Sequence, residues 1–249
     1  MTKKLTKGIG VVLIVLSAAL CLNGCAGSSE TSSSVSNDGK VVVTQSGNHP
    51  YLTADNRYGA ELFCAFKNNS NQTLDISRVT FTLYNQDDAS MGSILSVYAP
   101  QYLKPGDTGY AAVTVKPDST SPKIHDGSEP ARFEVTFRFK VAASDYTDNT
   151  LNVTAAKLNQ ESKMIPSIAY TLDNTLDKEV TQFSAVAGLF DANGTLTGCF
   201  YNDTAADNNV ILSNWNARFI LGSWADSTDY NRFANVTTVD IKACATRYK

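Results

Sequence analysis

Apolar and polar residues alternate along several stretches of this chain, as they do in β-strands with one buried and one solvated face. The clearest stretch, ARFEVTFRFKV at residues 131–141, has apolar residues at every second position. TTVDIKACA at residues 237–245 repeats the alternation, with Val239, Ile241 and Ala243 on the inward side. Other strand patterns of the first half lie near residues 40–45, 59–67, 77–85, 92–98 and 108–116. Long helical patterns are absent, so the chain is predicted to be all-β.

Matching strand segments recur at a constant spacing of 106 residues, which indicates an internal duplication. Leu83-Tyr84-Asn85 falls on Leu189-Phe190-Asp191, Gly92 falls on Gly198, and residues 111–115 fall on residues 217–221. Each copy would hold about six strands in about 100 residues, which is the size of a small β-sandwich. The predicted domains are residues 40–141 and 142–249, the second being a divergent repeat of the first.

The first 24 residues have the layout of a secretory signal peptide. Three early lysines precede the apolar run IGVVLIVLSAALCL, which is shorter than the ~20 residues that span a bilayer. Leu22-Asn23-Gly24-Cys25 then resembles the bacterial lipobox, in which a cysteine receives a diacylglycerol and becomes the mature N-terminus. The resemblance implies an extracytoplasmic protein that is anchored to the bacterial cell membrane through acylated Cys25. The alternative is a plain cleaved signal that leaves Cys25 as an ordinary residue.

Residues 25–39 are rich in serine and contain almost no apolar side chains. Such a segment cannot bury enough apolar surface to fold by itself, so it is predicted to be a disordered tether. It would hold the folded part of the chain away from the lipid surface.

The charge of the mature chain limits its partners. Of 21 Lys and Arg residues, three leave with the signal peptide, so 18 remain against 24 Asp and Glu, a net charge of −6. Nucleic acids and anionic membrane surfaces bind basic faces, so neither is expected as a partner. The predicted partners are the lipid bilayer, through the acyl chains on Cys25, and an unknown protein or glycan.

A family resemblance rests on the strand Phe81-Thr-Leu83-Tyr84-Asn85, which follows an Asn-rich turn and precedes Gly92 and Lys104-Pro-Gly-Asp. These residues resemble the FxLYD domain of bacterial secreted and lipid-anchored proteins, whose name records the motif Phe-x-Leu-Tyr-Asp. Asn85 stands where the family has Asp. The resemblance covers residues 60–116 and implies an immunoglobulin-like β-sandwich with no catalytic residues.

The second copy, at residues 168–221, resembles the same family more weakly. It keeps Leu189 and Asp191 but has Ala187 and Phe190 at the family's Phe and Tyr positions. Together the two copies predict a pair of tandem immunoglobulin-like domains. In this copy Asp191-Ala-Asn-Gly is predicted to be a tight hairpin turn, with Asn-Gly supplying positive φ angles.

Groups that carry chemistry are sparse in this sequence. His49 and His125 lie in predicted loops, and neither has a nucleophile beside it on a rigid element. Glycine-rich phosphate loops and metal-binding spacings are not found. We therefore predict a non-enzymatic protein with no catalytic residues, no metal and no cofactor.

Three cysteines remain in the predicted folded part. Cys64 lies on a strand with Leu62 and Phe66 on the same face, which favours a small core residue. Cys199 and Cys244 both lie in the second copy, and an extracytoplasmic location permits a disulfide between them. Such a disulfide is the prediction for this pair.

One loop is a candidate binding surface. Residues 222–233 concentrate Trp224, Tyr230, Arg232 and Phe233, whereas the matching loop of the first copy has no aromatic residue. Aromatic and arginine side chains dominate binding surfaces. The alternative is that these residues cap the open end of the sandwich.

Two functions remain open from the sequence. The preferred one is a scaffold or binding protein for an envelope or surface protein. The other is a carbohydrate-binding module that stacks sugars on Trp224 and Tyr230.

Overall fold

The computed structural model describes residues 32–35, 39–159, 167–203, 211–222 and 233–249. These residues form β-strands and no α-helix, which confirms the predicted all-β class. The strands are β1 (Ser32–Val35), β2 (Val41–Leu52), β3 (Tyr58–Asn68), β4 (Leu74–Tyr84), β5 (Ser90–Leu95), β6 (Val97–Ala99), β7 (Tyr102–Leu103), β8 (Thr108–Val115), β9 (Arg132–Val141), β10 (Asn152–Asn159), β11 (Ser167–Asn174), β12 (Val180–Phe190), β13 (Leu196–Asp203), β14 (Trp215–Gly222) and β15 (Thr238–Tyr248).

The strands form four sheets, which we name A to D. Sheet A has the order β1-β9-β4-β5, with β7 also paired to β4, and sheet B has the order β2-β3-β8-β6. Sheet C is β13-β12-β15, and sheet D is β10-β11-β14. The pairs are antiparallel except for β1 with β9, which is parallel. In the described residues, sheets A and B draw only on the first half of the chain (β1–β9), and sheets C and D only on the second (β10–β15).

The sheets stack in the order A, B, C, D because three apolar clusters join neighbouring layers. One cluster combines residues of sheets A and B, a second combines residues of sheets C and D, and a third lies between B and C. Strand β3 contributes Leu62, Cys64 and Phe66 to the first cluster and Phe63 and Ala65 to the third. Both faces of β3 are therefore buried, which explains why its sequence does not alternate between apolar and polar residues.

The two halves repeat the same strand pairing. Leu83 on β4 opposes Gly92 on β5, and 106 residues later Leu189 on β12 opposes Gly198 on β13. A bulge follows in both ladders, between Leu83 and Tyr84 and at the matching step of β12. A bulge at the same position is a specific feature of backbone geometry, so its repetition supports duplication more strongly than the few shared residue identities do.

The hairpins after β4 and β12 are also built alike. The side-chain oxygen Oδ1 of Asn85 accepts hydrogen bonds from the backbone N–H groups two and four residues later, at 3.1 and 2.9 Å. Asp191 Oδ1 does the same, at 2.9 Å for both bonds. Asn and Asp are interchangeable here because only an acceptor oxygen is needed. Positive φ angles occur at Asp88 (63°) and Gly194 (77°), so the glycine alone supplies this conformation in the predicted Asn193-Gly194 turn.

One predicted alignment between the halves is wrong by two residues. Cys64 on β3 opposes Ala111 on β8, and its counterpart Tyr170 on β11 opposes Phe219 on β14. Ala111 therefore corresponds to Phe219 and not to Ala217. Two additional residues between β13 and β14 account for the change in offset, and sequence identity in this stretch was too low to reveal them.

The N-terminal region differs from the predicted tether in one respect. Ser32–Val35 form strand β1, which pairs with Phe133 to Thr136 of β9. Strand β9 would otherwise leave a row of backbone groups unpaired, and this favours addition of a strand. Residues 1–31, which include the predicted signal peptide and Cys25, lie outside the described residues. In the part of the chain that is described, no helix has the length and apolar character needed to cross a bilayer.

Candidate binding groove at the junction of the two halves

The predicted binding loop is only partly covered by the structure. Trp224, Tyr230 and Arg232 lie outside the described residues. Phe233 is only 1% exposed and packs in the cluster between sheets C and D, with its ring 5.0 Å from that of Phe200. The prediction that Phe233 contacts a ligand is therefore wrong, because its side chain belongs to the core.

The predicted disulfide is also absent, since Cys64, Cys199 and Cys244 are all free and buried. Cys199 opposes Gly188 of β12, whereas Cys244 opposes Ser184 on the other side of that strand. Four residues along a strand span about 13 Å, and a disulfide requires Cα atoms within about 7 Å. The two cysteines instead pack side by side with apolar residues between sheets B and C.

We expect these thiols to be unreactive in the native protein. Burial raises the pKa of Cys64 and Cys199, and it raises that of Cys244 to about 11. The reactive thiolate is therefore scarce at neutral pH. A thiol-reactive dye should label a chain that starts after Cys25 slowly in buffer, and should label three thiols at once in denaturant without reductant. Only one labelled thiol in denaturant would contradict the structure, because two would then be paired.

Catalytic constellations are not found among the described residues. That part of the chain contains no group of three or more His, Cys, Asp or Glu side chains that could hold a metal ion. His125 Nδ1 lies 2.9 Å from Glu129 Oε2 in an exposed turn. His49 Nε2 lies 2.5 Å from the carbonyl oxygen of Thr197, so this ring joins the two halves and does not face a reaction site.

Polar contacts between sheets B and C fix the two halves against each other. The Tyr110 hydroxyl donates to Asp240 Oδ2 at 2.7 Å, and the Tyr201 hydroxyl donates to Thr114 Oγ1 at 3.1 Å. Gln45 contacts the hairpin before β13 through both ends of its amide, accepting from Leu196 N at 2.6 Å and donating to Gly194 O at 3.2 Å. With the apolar cluster beneath them, these bonds make the junction a packed interface and not a flexible linker.

Two adjoining cavities lie along one side of this junction, and we call them together the junction groove. Both are lined by Tyr102 of β7, and each combines residues from the two halves. The first, of about 340 Å³, is lined by Gln101, Tyr102, Thr147, Asn149, Leu176, Asp177, Lys178, Ala245, Thr246 and Tyr248. The second, of about 310 Å³, is lined by Pro100, Tyr102, Lys104, Asp107, Thr108, residues 150–153 and residues 241–243.

Aromatic rings mark the first cavity. The rings of Tyr102 and Tyr146 lie 4.7 Å apart between centroids, at an angle of 40°. Tyr248 is 38% exposed, and the Lys178 ammonium lies 5.6 Å from the centre of its ring. Burial raises the pKa of both Tyr102 and Tyr248, so their hydroxyls remain protonated and act as neutral hydrogen-bond donors at physiological pH.

Amide groups supply the polar floor of the same cavity. Asn149 Nδ2 donates to Gln101 Oε1 at 2.8 Å and to Ala245 O at 2.7 Å. Gln101 Nε2 in turn donates to Asp75 Oδ1 at 3.1 Å. The Asn149 side chain is 5% exposed and its Oδ1 has no hydrogen-bond partner in the protein. These bonds fix the amides in place before anything binds, which lowers the entropic cost of association.

An ion pair bridges the second cavity. Lys104 Nζ lies 2.7 Å from Asp148 Oδ2, and Asp148 Oδ1 also accepts hydrogen bonds from the backbone N–H and hydroxyl of Thr150. Burial raises the pKa of Asp148, but the bonds from Lys104 and Thr150 outweigh it, so the pKa lies below its usual value. The pair joins β7 of the first half to the segment that enters the second half.

The groove offers recognition groups but no activated nucleophile. Cys244 is the one thiol beneath it among the described residues, and burial keeps that thiol protonated. Its residues come from four separated segments, near positions 101, 148, 177 and 245, so the sequence showed no local motif for this site. Trp215 was likewise missed, although it is 65% exposed at the start of edge strand β14.

Comparison with known proteins gave no family: no family model matches this chain, and no curated protein matches it.

Proposed function

We propose that this chain is a lipid-anchored, extracytoplasmic binding protein, built from two tandem immunoglobulin-like domains of FxLYD type. The repeated ladders, bulges and hairpins support two copies of one β-sandwich. The sheet order β2-β3-β8-β6 facing β9-β4-β5 supports an immunoglobulin-like arrangement. Acylation of Cys25 would fix the chain to the bacterial cell membrane, as the signal-like first 24 residues suggest.

The junction groove is the observation that carries the binding proposal. It is concave, combines tyrosines with fixed amides and charges of both signs, and takes its walls from both halves of the molecule. Tyrosines give large contact area at little entropic cost, and such side chains dominate the energetics of protein interfaces. A protein segment that carries an apolar or aromatic anchor flanked by hydrogen-bonding groups fits this chemistry. The partner is an envelope or surface protein, and no catalysis is involved.

Binding of carbohydrate is the second candidate function. Trp215 presents 65% of its surface to solvent on edge strand β14, which leads toward loop 222–233. An exposed indole is a suitable platform for stacking a sugar ring. Binding to a glycan array that disappears in Trp215→Ala, with Tyr248→Ala unaffected, would favour this candidate over the first.

Crosslinking in cells, followed by affinity measurements on the recovered partner, tests the main proposal. Tyr248→Ala should weaken binding of that partner at least about thirtyfold, since truncating an anchoring aromatic costs about 2 kcal/mol or more. Leu95→Ala is the matched control, because Leu95 is 59% exposed on β5, in the outer sheet A. Unchanged affinity in both Tyr248→Ala and Tyr102→Ala, with the fold intact, would exclude the groove as the binding site.

A further inference from the structure

The outer edge of β15 is unpaired over its first half. Even-numbered residues of β15 pair with β12, so the backbone groups of odd-numbered residues such as Val239 and Ile241 point away from it. The carbonyl oxygen of Ala243 accepts from Leu151 N at 3.0 Å, which covers the edge from that point onward. Before Ala243, no described strand pairs with this side of β15. An open row of N–H and C=O groups is a template for another strand.

In the first half of the molecule the corresponding edge is occupied. Strand β1 runs parallel to β9 and opposes Ser32 to Phe133 and Ser34 to Val135. Shifted by the repeat offset of 106, Phe133 and Val135 correspond to Val239 and Ile241. The duplicated fold therefore presents the same acceptor edge twice, and a strand lies on only one of the two.

Space for a strand exists beside the open edge. The second cavity of the junction groove is lined by Ile241, Lys242 and Ala243 of β15 on one side, and by Lys104 and Thr108 of the first half on another. Five residues from Val239 to Ala243 span about 13 Å, the length of a short strand. The nearby charges are matched, since Lys242 pairs with Asp240 and Lys104 pairs with Asp148, so the site does not select a strongly charged segment.

We propose that this edge of β15 accepts an extended segment of a partner protein as an added parallel strand. The proposal rests on the binding function above and specifies how the partner is held. The partner segment is uncharged and carries small hydroxyl-bearing and β-branched residues, because Ser-Ser-Ser-Val occupies the equivalent position on β9. Backbone hydrogen bonds supply the affinity, and the groove wall restricts which side chains fit.

A partner protein is the occupant, and not a second copy of this chain, because of the number of strands available. The described residues supply one parallel donor strand, β1, for two acceptor edges. If β1 of a second molecule moved to β15, that molecule's own β9 would lose its strand, and the number of paired edges would not change. Exchange between copies therefore gains nothing, whereas a foreign strand adds a new row of hydrogen bonds.

Amide hydrogen exchange on the full chain tests the proposal, with the synthetic peptide TSSSVS (residues 31–36) as the added strand. At millimolar peptide, exchange at Val239 and Ile241 should slow at least tenfold. Val239→Pro removes one outward N–H but no bond to β12, and Pro is tolerated at such edge positions. It should abolish the slowing at Ile241, whereas Val239→Ala, which truncates the side chain and keeps the N–H, should preserve it.

The other outcomes overturn the proposal. Slow exchange at Val239 and Ile241 without peptide, at every protein concentration, would show that the chain covers its own edge. Slowing that grows with protein concentration alone would make a second copy the occupant. A peptide that affects only Phe133 and Val135 of β9, or none of these amides, would show that β15 does not accept strands. If Tyr248→Ala still reduced partner binding in any of these cases, the groove function would stand and only strand addition would fall.

Discussion

Replacing Phe233 with alanine is expected to lower the free energy of unfolding by about 3–5 kcal/mol, among the larger losses for a single core residue. The side chain is 1% exposed and fills space between sheets C and D. Its ring meets Phe200 edge to face at 5.0 Å, and that of His49 lies 6.1 Å away. Truncation would leave a cavity next to both rings and remove the aromatic contacts as well.

Chemical denaturation of Phe233→Ala measures this loss, with Leu95→Ala as an exposed apolar control that should change stability by less than about 0.5 kcal/mol. Binding of a partner to the folded fraction of Phe233→Ala should match the wild type, because the ring does not reach the surface. Nearly unchanged stability together with weakened binding would contradict the buried position and restore Phe233 to the binding loop.

Phe233 illustrates where sequence reasoning about the site fails. Four aromatic or basic residues close together in a loop have the composition of a binding surface, but composition does not record which way each side chain points. Phe233 is the first described residue after the loop and turns inward, where it meets a phenylalanine 33 positions earlier in the chain. The tyrosines of the junction groove show the converse, since Tyr102, Tyr146 and Tyr248 are isolated in sequence and meet only through the packing of the two halves.

The fold was more accessible to sequence analysis than the site because the outer sheets alternate. Strand β9 has one face in the core and one in water, so its pattern gave the strand within a residue. Strands β3 and β8 carried no such signal for their second face. Both are buried between layers, and a face-to-face stack of two sandwiches follows only from the way their apolar outer surfaces complement each other.

The cysteines show the limit of arguments from spacing. Cys199 and Cys244 both lie on strands of sheet C, and their separation along the chain permitted a disulfide. Their register on β12 places them four residues apart along that strand and on opposite sides of it. Register depends on where each hairpin turns, and the sequence fixed neither hairpin well enough to exclude the bond.

The final prediction concerns a buried amide that occurs once in each half. Asn68 Nδ2 donates to the carbonyl oxygens of Gln72 at 2.7 Å and Leu103 at 2.8 Å, and its Oδ1 accepts from Ser70 N at 2.9 Å. The side chain thereby joins the end of β3 to the following turn and to β7. With 0% exposure, the residue leaves no room for water to replace these bonds.

The equivalent residue 106 positions later is Asn174, and it is 1% exposed. Its Nδ2 donates to Lys178 O at 2.8 Å and to Ile211 O at 2.9 Å, and its Oδ1 accepts from Leu176 N at 3.1 Å. The partners correspond to those of Asn68 through the same turn and the same neighbouring strand. The geometry was retained although the sequences around it diverged.

Asn68→Ala and Asn174→Ala should therefore each lower the free energy of unfolding by about 2–4 kcal/mol, because each leaves two buried carbonyls and one N–H without partners. Urea denaturation of the two variants measures the losses, and the neighbouring exposed Asn69 provides the control substitution Asn69→Ala, with an expected change under about 0.5 kcal/mol. A large loss at Asn68 with little change at Asn174 would mean that the second amide no longer holds its turn. Comparable losses at both positions would show that one polar bracket stabilises the same strand end in both halves, as a duplicated fold requires.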